Sequence, residues 1–314
     1  MKRRLALATA IVATALAAAG CGSGAGGGST DGRPQVVTSF YPIQFATERI
    51  AGATLDVSVL TKPGAEPHDL EITPQDLARM TRSSLVVYSK GFQPAVDEAV
   101  QQVDSDRVLD VSGVAQLTED PAEEEGHAEE SAEEHAEHAH QGADPHFWLD
   151  PQRYASVAEA IGARLAELEP SSAATLKANT KAFVDELTRL DAEFTTGLKS
   201  CSIKQLVTSH SAFTYLAERY GFEQYGISGV SPEAEPSAAG LARINALVRD
   251  HGVTTIYQET LVEPHFAQTV AASTGATVAT LDPLEGITDA SAGKDYFEVM
   301  RSNLATLKQG QDCS

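Results

Sequence analysis

Short runs of apolar residues recur along the chain, separated by stretches with helical spacing. Val36-Val37-Thr38, Val57-Ser58-Val59-Leu60, Leu85-Val86-Val87-Tyr88 and Val108-Leu109 are too short for helices and apolar enough for strands covered on both faces. The same kind of run returns after Cys201, in Gln205-Leu206-Val207-Thr208, Thr254-Thr255-Ile256-Tyr257 and Thr277-Val278-Ala279-Thr280. Between the runs lie helical patterns, the clearest starting at Thr73, a good N-cap followed by Pro74 and, in the first turn, Asp76. This alternation predicts an α/β fold of two (β/α) lobes, each with a mostly parallel sheet covered by helices. The N-terminal lobe is assigned to residues 35–170 and the C-terminal lobe to residues 201–314.

The segment joining the two sets of strands has a different pattern. Residues 171–198 hold no proline, and no glycine before Gly197. Leu176, Phe183, Leu187, Leu190, Phe194 and Leu198 step by 7, 4, 3, 4 and 4, which traces one helical face. A helix of that length spans roughly 42 Å, enough to run along both lobes and fix their separation. A linker helix is therefore assigned to residues 171–200, with an ordinary long helix inside one lobe as the alternative.

The beginning of the chain reads as a leader rather than as fold. Lys2, Arg3 and Arg4 precede about fifteen apolar residues, right for a signal h-region and short for a spanning helix. Ala18-Ala19-Gly20 before Cys21 looks like a lipobox. Residues 1–20 are accordingly expected to be a lipoprotein signal peptide, with Cys21 the lipid-modified first residue of the mature chain. The Gly- and Ser-rich residues 21–34 are expected to form a flexible tether on the outer face of the cell membrane. The other two cysteines, Cys201 and Cys313, are expected to pair as a disulfide in that oxidising compartment, with two free buried thiols as the alternative.

The 314 residues carry 44 acids against 23 Lys and Arg, for a formal net charge of −21. Such a chain lacks the clustered cations that phosphate contacts need, which excludes nucleic acid as a partner and leaves a cation possible. The acidity is unevenly placed. Residues 119–140 contain ten acids, four histidines (His127, His135, His138 and His140) and no base. That stretch cannot bury a core and is expected to be an insertion that collects imidazole-loving divalent metals weakly, or else a solvated acidic loop.

The remaining histidines are His68, His146, His210, His251 and His265. His68 and His210 follow predicted strands, as does Asp282 in Leu281-Asp282-Pro283-Leu284, and ligands of open α/β sheets bind outside the carboxyl ends of strands. His146 lies in Asp144-Pro145-His146-Phe147-Trp148-Leu149-Asp150-Pro151, before a helix. Three imidazoles and a carboxylate suit tetrahedral Zn(II). Asp69 and Asp144 lie close by in sequence, but neither is assigned to the second ring nitrogens. His251 is placed at a helix end and His265 at a helix start, both outside the site.

These residues together resemble a known family. The motifs GAEPHDLEITP (64–74), DPHFWLDP (144–151), SHSAFTYLAERYG (209–221), SPEAEPS (231–237) and LDPL (281–284) are similar, in order, to those of the cluster A-I solute-binding lipoproteins, the zinc- and manganese-binding components of ABC importers. The resemblance runs from about Val36 to the end of the chain and is strongest to the high-affinity zinc-uptake type. It implies two (β/α) lobes joined by a rigid helix, with the metal between them held by His68, His146, His210 and Asp282. Some zinc members have Glu directly before the first histidine, where this chain has Pro67, so no glutamate there completes the shell, and either Asp282 or a water is the fourth ligand.

Metal choice follows from ligand type. Manganese-selective relatives often place Glu where His210 stands, so His210 and the His-rich insertion point to Zn(II), with Mn(II) or dual specificity as the alternative. The function implied is extracytoplasmic capture of zinc and its delivery to an ABC transporter permease, by a monomer and without catalysis. A zinc-dependent hydrolase would need an open metal position and a base such as Glu66 or Glu259, yet no HExxH pattern is present. A metal chaperone or adhesin using only the insertion histidines leaves the ordered motifs outside it without a role.

Overall fold

The computed structural model describes residues 32–118 and 143–314. Two four-stranded sheets, parallel throughout, repeat one strand order. The first contains β1 (Gln35–Thr38), β2 (Asp56–Val59), β3 (Leu85–Tyr88) and β4 (Val108–Asp110) in the order β2-β1-β3-β4. The second contains β5 (Gln205–Thr208), β6 (Glu223–Gly226), β7 (Thr255–Gln258) and β8 (Thr277–Thr280) in the order β6-β5-β7-β8. Helices α1 (Tyr41–Ala51), α2 (Pro74–Arg82), α3 (Pro94–Ala99) and α4 (Ser112–Ala115) accompany the first sheet, and α5 (Pro151–Leu168) follows them. Helices α7 (Thr214–Tyr220), α8 (Ala238–Asp250), α9 (His265–Thr274) and α10 (Tyr296–Gly310) accompany the second.

Seven of the eight strands coincide with the apolar runs. The eighth, β6, reads Glu-Gln-Tyr-Gly and is absent from the sequence expectation. It sits at a sheet edge, as β2, β4 and β8 do, but unlike them it carries no Val, Ile or Leu. Helix α2 begins as expected: Asp76 N donates to Thr73 Oγ1 at 3.1 Å, and Thr73 N donates back to Asp76 Oδ2, forming a capping box.

Between the sheets runs α6 (Ala173–Gly197), whose 25 residues span about 37 Å. All six residues of the stripe read from the sequence are buried. The helix packs on α5, on α1 from the first half and on α10 from the second. Its approach to α5 is close at Gly162, where any Cβ would collide with Thr180. Each aromatic or leucine on that stripe contributes about 1.5–3 kcal/mol by leaving water.

Strand pleating sorts the core into three bodies. Val37 and Val86 face an outer cluster under α2 and α3, while Val207 and Ile256 face another under α8 and α9. Val36, Leu85 and Val87 point the other way, into a core that runs unbroken through Trp148, Tyr154 and Phe183 to Leu206, Leu281 and Tyr296. The two sheets therefore share one hydrophobic interior. Cys201 and Cys313 form a disulfide that fastens the end of the chain to the segment after α6. No helix among the described residues is long and apolar enough to cross a membrane.

Candidate metal centre

Loops leaving the carboxyl ends of both sheets meet at one buried point. His68 lies beyond β2, His210 two residues beyond β5, and His146 just before the short helical turn Phe147–Leu149 that leads into α5. Their Nε2 atoms surround a single carboxylate oxygen, Glu285 Oε1, at 3.3 Å (His68), 2.9 Å (His146) and 3.2 Å (His210). The Nε2 atoms of His146 and His210 are 3.4 Å apart, and the ligand atoms of all four residues lie within 4.8 Å of one another. His146, His210 and Glu285 have no exposed side-chain surface, and His68 retains 9%.

An acidic side chain braces each histidine backbone. Asp144 Oδ1 accepts from His146 N at 2.9 Å and lies 2.7 Å from its Nδ1. Glu259 Oε1 does the same for His210, at 3.1 Å from N and 2.6 Å from Nδ1. An ionised carboxylate only accepts, so when either imidazole is neutral its proton belongs on Nδ1, which leaves the Nε2 lone pair free to bind a metal at the centre. Glu66 Oε1 accepts from His68 N at 3.0 Å, and the His68 ring stands edge-on to Phe92. Asp144 thus takes the partner role left unassigned in the sequence, whereas Asp69 is exposed.

Burial and charge oppose each other here. Burial acts most strongly on His210 and His146 and disfavours their charge, yet Glu259 or Asp144, together with Glu285, outweighs it and raises both imidazoles above the usual histidine range. At His68 burial prevails over the pull of Glu285 and the imidazole is lowered. Burial opposes ionisation of Glu285 as well, but the hydrogen-bonding histidines hold it well below the usual carboxylate range. Glu66 is pushed up to about 8 by burial and by the negative charge of Glu285. Glu285 Oε2, Glu259 Oε2 and Asp144 Oδ2 are buried without hydrogen-bond partners. Inward-facing imidazoles, a carboxylate with an unpartnered oxygen and a surplus of negative charge make a donor set for a divalent cation of borderline softness.

The structure departs from the sequence reading at the fourth position. Asp282, expected to bind the metal, is not among the converging groups; Glu285 is. Asp282 Oδ1 accepts the backbone N–H of Leu284 at 2.8 Å, closing a turn in which Leu284 adopts left-handed φ of 59°. That turn commits one oxygen of the aspartate to the backbone, while the longer glutamate reaches the imidazoles. Asp-Pro is itself a turn signal, and it would have marked Asp282 as a turn former. His251 ends α8, and His265 begins α9 at the surface, both away from the centre. His127, His135, His138, His140 and Cys21 lie outside the described residues.

Comparison with known proteins places the chain in a family. The zinc-binding protein AdcA of Streptococcus pyogenes is 37% identical over 292 residues, covering 90% of this chain but 57% of its own length, so the chain spans a little over half of that relative. The high-affinity zinc uptake system protein ZnuA of Bacillus subtilis is 34% identical over 279 residues, covering 87% of this chain and 86% of its own. The Zn(II)-bound ZnuA-like domain of Streptococcus pneumoniae AdcA superposes with a TM-score of 0.72 at 32% identity, covering 90% of this chain and 100% of that domain. A family model described as ZnuA, zinc-uptake complex component A, periplasmic, matches residues 36–310. With nearly all of the fold and every residue of the buried centre inside that match, the chain belongs to the ZnuA family of zinc-uptake binding proteins.

Proposed function

We propose that this protein captures Zn(II) outside the cytoplasm and hands it to the membrane permease of an ABC importer. The observation that carries this reading is the convergence of His68, His146, His210 and Glu285 at one buried point. Three imidazoles favour zinc over manganese, which prefers oxygen-rich sites. Four protein ligands also fill a tetrahedral shell and leave no open position for the water a zinc hydrolase would activate. The two candidate bases are engaged: Glu259 braces His210, and Glu66 accepts from the His68 backbone.

Zinc is the cargo, and binding replaces its hydration shell with these four groups. Asp144 and Glu259 hold His146 and His210 with their lone pairs inward, so little reorganisation accompanies capture. Because one core and α6 tie the two halves together, release is assigned to movement of the ligand loops, driven by the permease, rather than to wide lobe opening. One chain supplies all four groups, which supports a monomer as the working unit. Lipid attachment at Cys21 would tether the carrier to the outer face of the membrane. The acidic insertion, residues 119–140, would raise the local concentration of metal.

The test is metal analysis of the purified protein after equilibration with zinc and manganese together. One zinc per chain, undisplaced by excess manganese, is the expected result. Retention of manganese in the presence of zinc, or no tightly held metal, would overturn the assignment.

A further inference from the structure

The turn that delivers Glu285 is held at four backbone atoms. Asp282 N donates to Asn303 Oδ1 at 3.0 Å, and Asn303 Nδ2 donates to Asp282 O at 2.7 Å, so one buried amide grips both sides of Asp282. Pro283 O accepts the indole N–H of Trp148 at 2.7 Å. Leu284 N donates to Asp282 Oδ1 at 2.8 Å. The next residue is Glu285, whose Oε1 lies among the three imidazoles.

Leu284 shows what these bonds accomplish. Its φ of 59° is one that L-residues avoid, and its side chain is fully buried, so the conformation persists only because neighbours enforce it. The Asp282 carboxylate supplies that enforcement locally, as in other turns where Asp bonds its own backbone two residues on. Asn303, 21 residues further along on α10, stops Asp282 itself from rotating.

We propose that Asp282 and Asn303 are the positioning residues of the metal centre, acting on zinc only through the placement of Glu285. This rests on the metal-binding reading above. What the centre needs from Asp282 is an oxygen that accepts the Leu284 N–H, not a charge. Asparagine offers the same oxygen at the same place, whereas a metal ligand converted to an amide would lose most of its donor strength.

The experiment measures zinc affinity by competition with a chromophoric chelator, together with the visible absorption of the Co(II)-loaded protein, for wild type, D282N, D282A, N303A and E285Q. Asp282→Asn should stay within about threefold of wild type, since a neutral acceptor replaces a charged one. It should also keep the wild-type Co(II) spectrum. Asp282→Ala and Asn303→Ala should weaken zinc by about 10–100-fold, with Co(II) bands displaced towards those of E285Q. Circular dichroism of the metal-free variants separates this from unfolding, and D282N decides the question even if D282A does not fold. A D282N protein as weak as E285Q would make Asp282 a ligand and overturn the proposal. D282A or N303A with wild-type affinity would overturn it equally. Failure of the wild type to bind zinc would instead sink the metal-centre reading.

Discussion

Glu259 offers the sharpest handle on how the centre works, because it touches His210, a proposed ligand, and is not itself one of the converging groups. Its Oε1 holds both the ring Nδ1 of His210, at 2.6 Å, and the backbone N of the same residue. Replacing it with alanine removes the orientation and the charge together; replacing it with glutamine keeps an acceptor and removes only the charge. Partners of this kind are worth about 10–100-fold in metal affinity, which corresponds to about 1.4–2.7 kcal/mol. The alanine variant should show the full loss at pH 8 and the glutamine variant a smaller one. The pH dependence adds a second readout. In the metal-free protein Glu259 and Glu285 raise the His210 imidazole against the effect of burial, so protons compete with zinc from above the usual histidine range downwards. Loss of the Glu259 charge lowers that imidazole and weakens the competition. The affinity deficit of Glu259→Gln should therefore shrink as pH falls from 8 to 6, while wild-type affinity declines more steeply. Chelator competition across that range is the assay. A deficit that grew on acidification, or none at pH 8, would refute the bracing role of Glu259.

Other regions of the molecule yield equally definite expectations. Phe183, 1% exposed and ringed by Phe45, Tyr154 and Phe297 where α6 meets both halves, should lower stability by about 3–5 kcal/mol on truncation to alanine, read by chemical denaturation; a loss below about 1 kcal/mol would contradict its place in the shared core. Replacing Cys201 and Cys313 by serine opens a linkage across 112 residues and should cost about 2–5 kcal/mol in the same assay, with zinc stoichiometry unchanged. Deleting residues 119–140 should leave one tight zinc per chain in calorimetry and remove only weaker uptake, because the four converging groups lie outside that stretch. Loss of the tight ion would move the primary site into the insertion.

How far the sequence discloses this molecule depends on what carries the signal. Apolar runs mark the central strands β1, β3, β5 and β7 because covered strands must be apolar on both faces, although the half-buried edge strand β2 and the largely exposed edge strand β8 carry similar runs without that cover, and the Leu176-to-Leu198 stripe marks α6 because only one helical period fits it. The edge strand β6, Glu-Gln-Tyr-Gly, has no apolar run and leaves no such mark. The histidines are legible because imidazoles beyond strand ends are few, and their order matches a known set of motifs. Glu285 is not, since its placement depends on a left-handed leucine and on an asparagine amide from α10, both tertiary facts. Glu259 as the brace of His210 is hidden for the same reason: β5 and β7 must be side by side before the two loops can meet.

X-ray absorption at the zinc K-edge of the loaded protein tests whether zinc sits among His68, His146, His210 and Glu285. The expected result is a four-coordinate shell of light atoms at about 2.0–2.1 Å, with the outer-shell scattering of three imidazoles. In E285Q the shell should keep those imidazoles and lose the carboxylate oxygen. A six-coordinate, oxygen-rich shell, or an E285Q spectrum identical to that of the wild type, would contradict it.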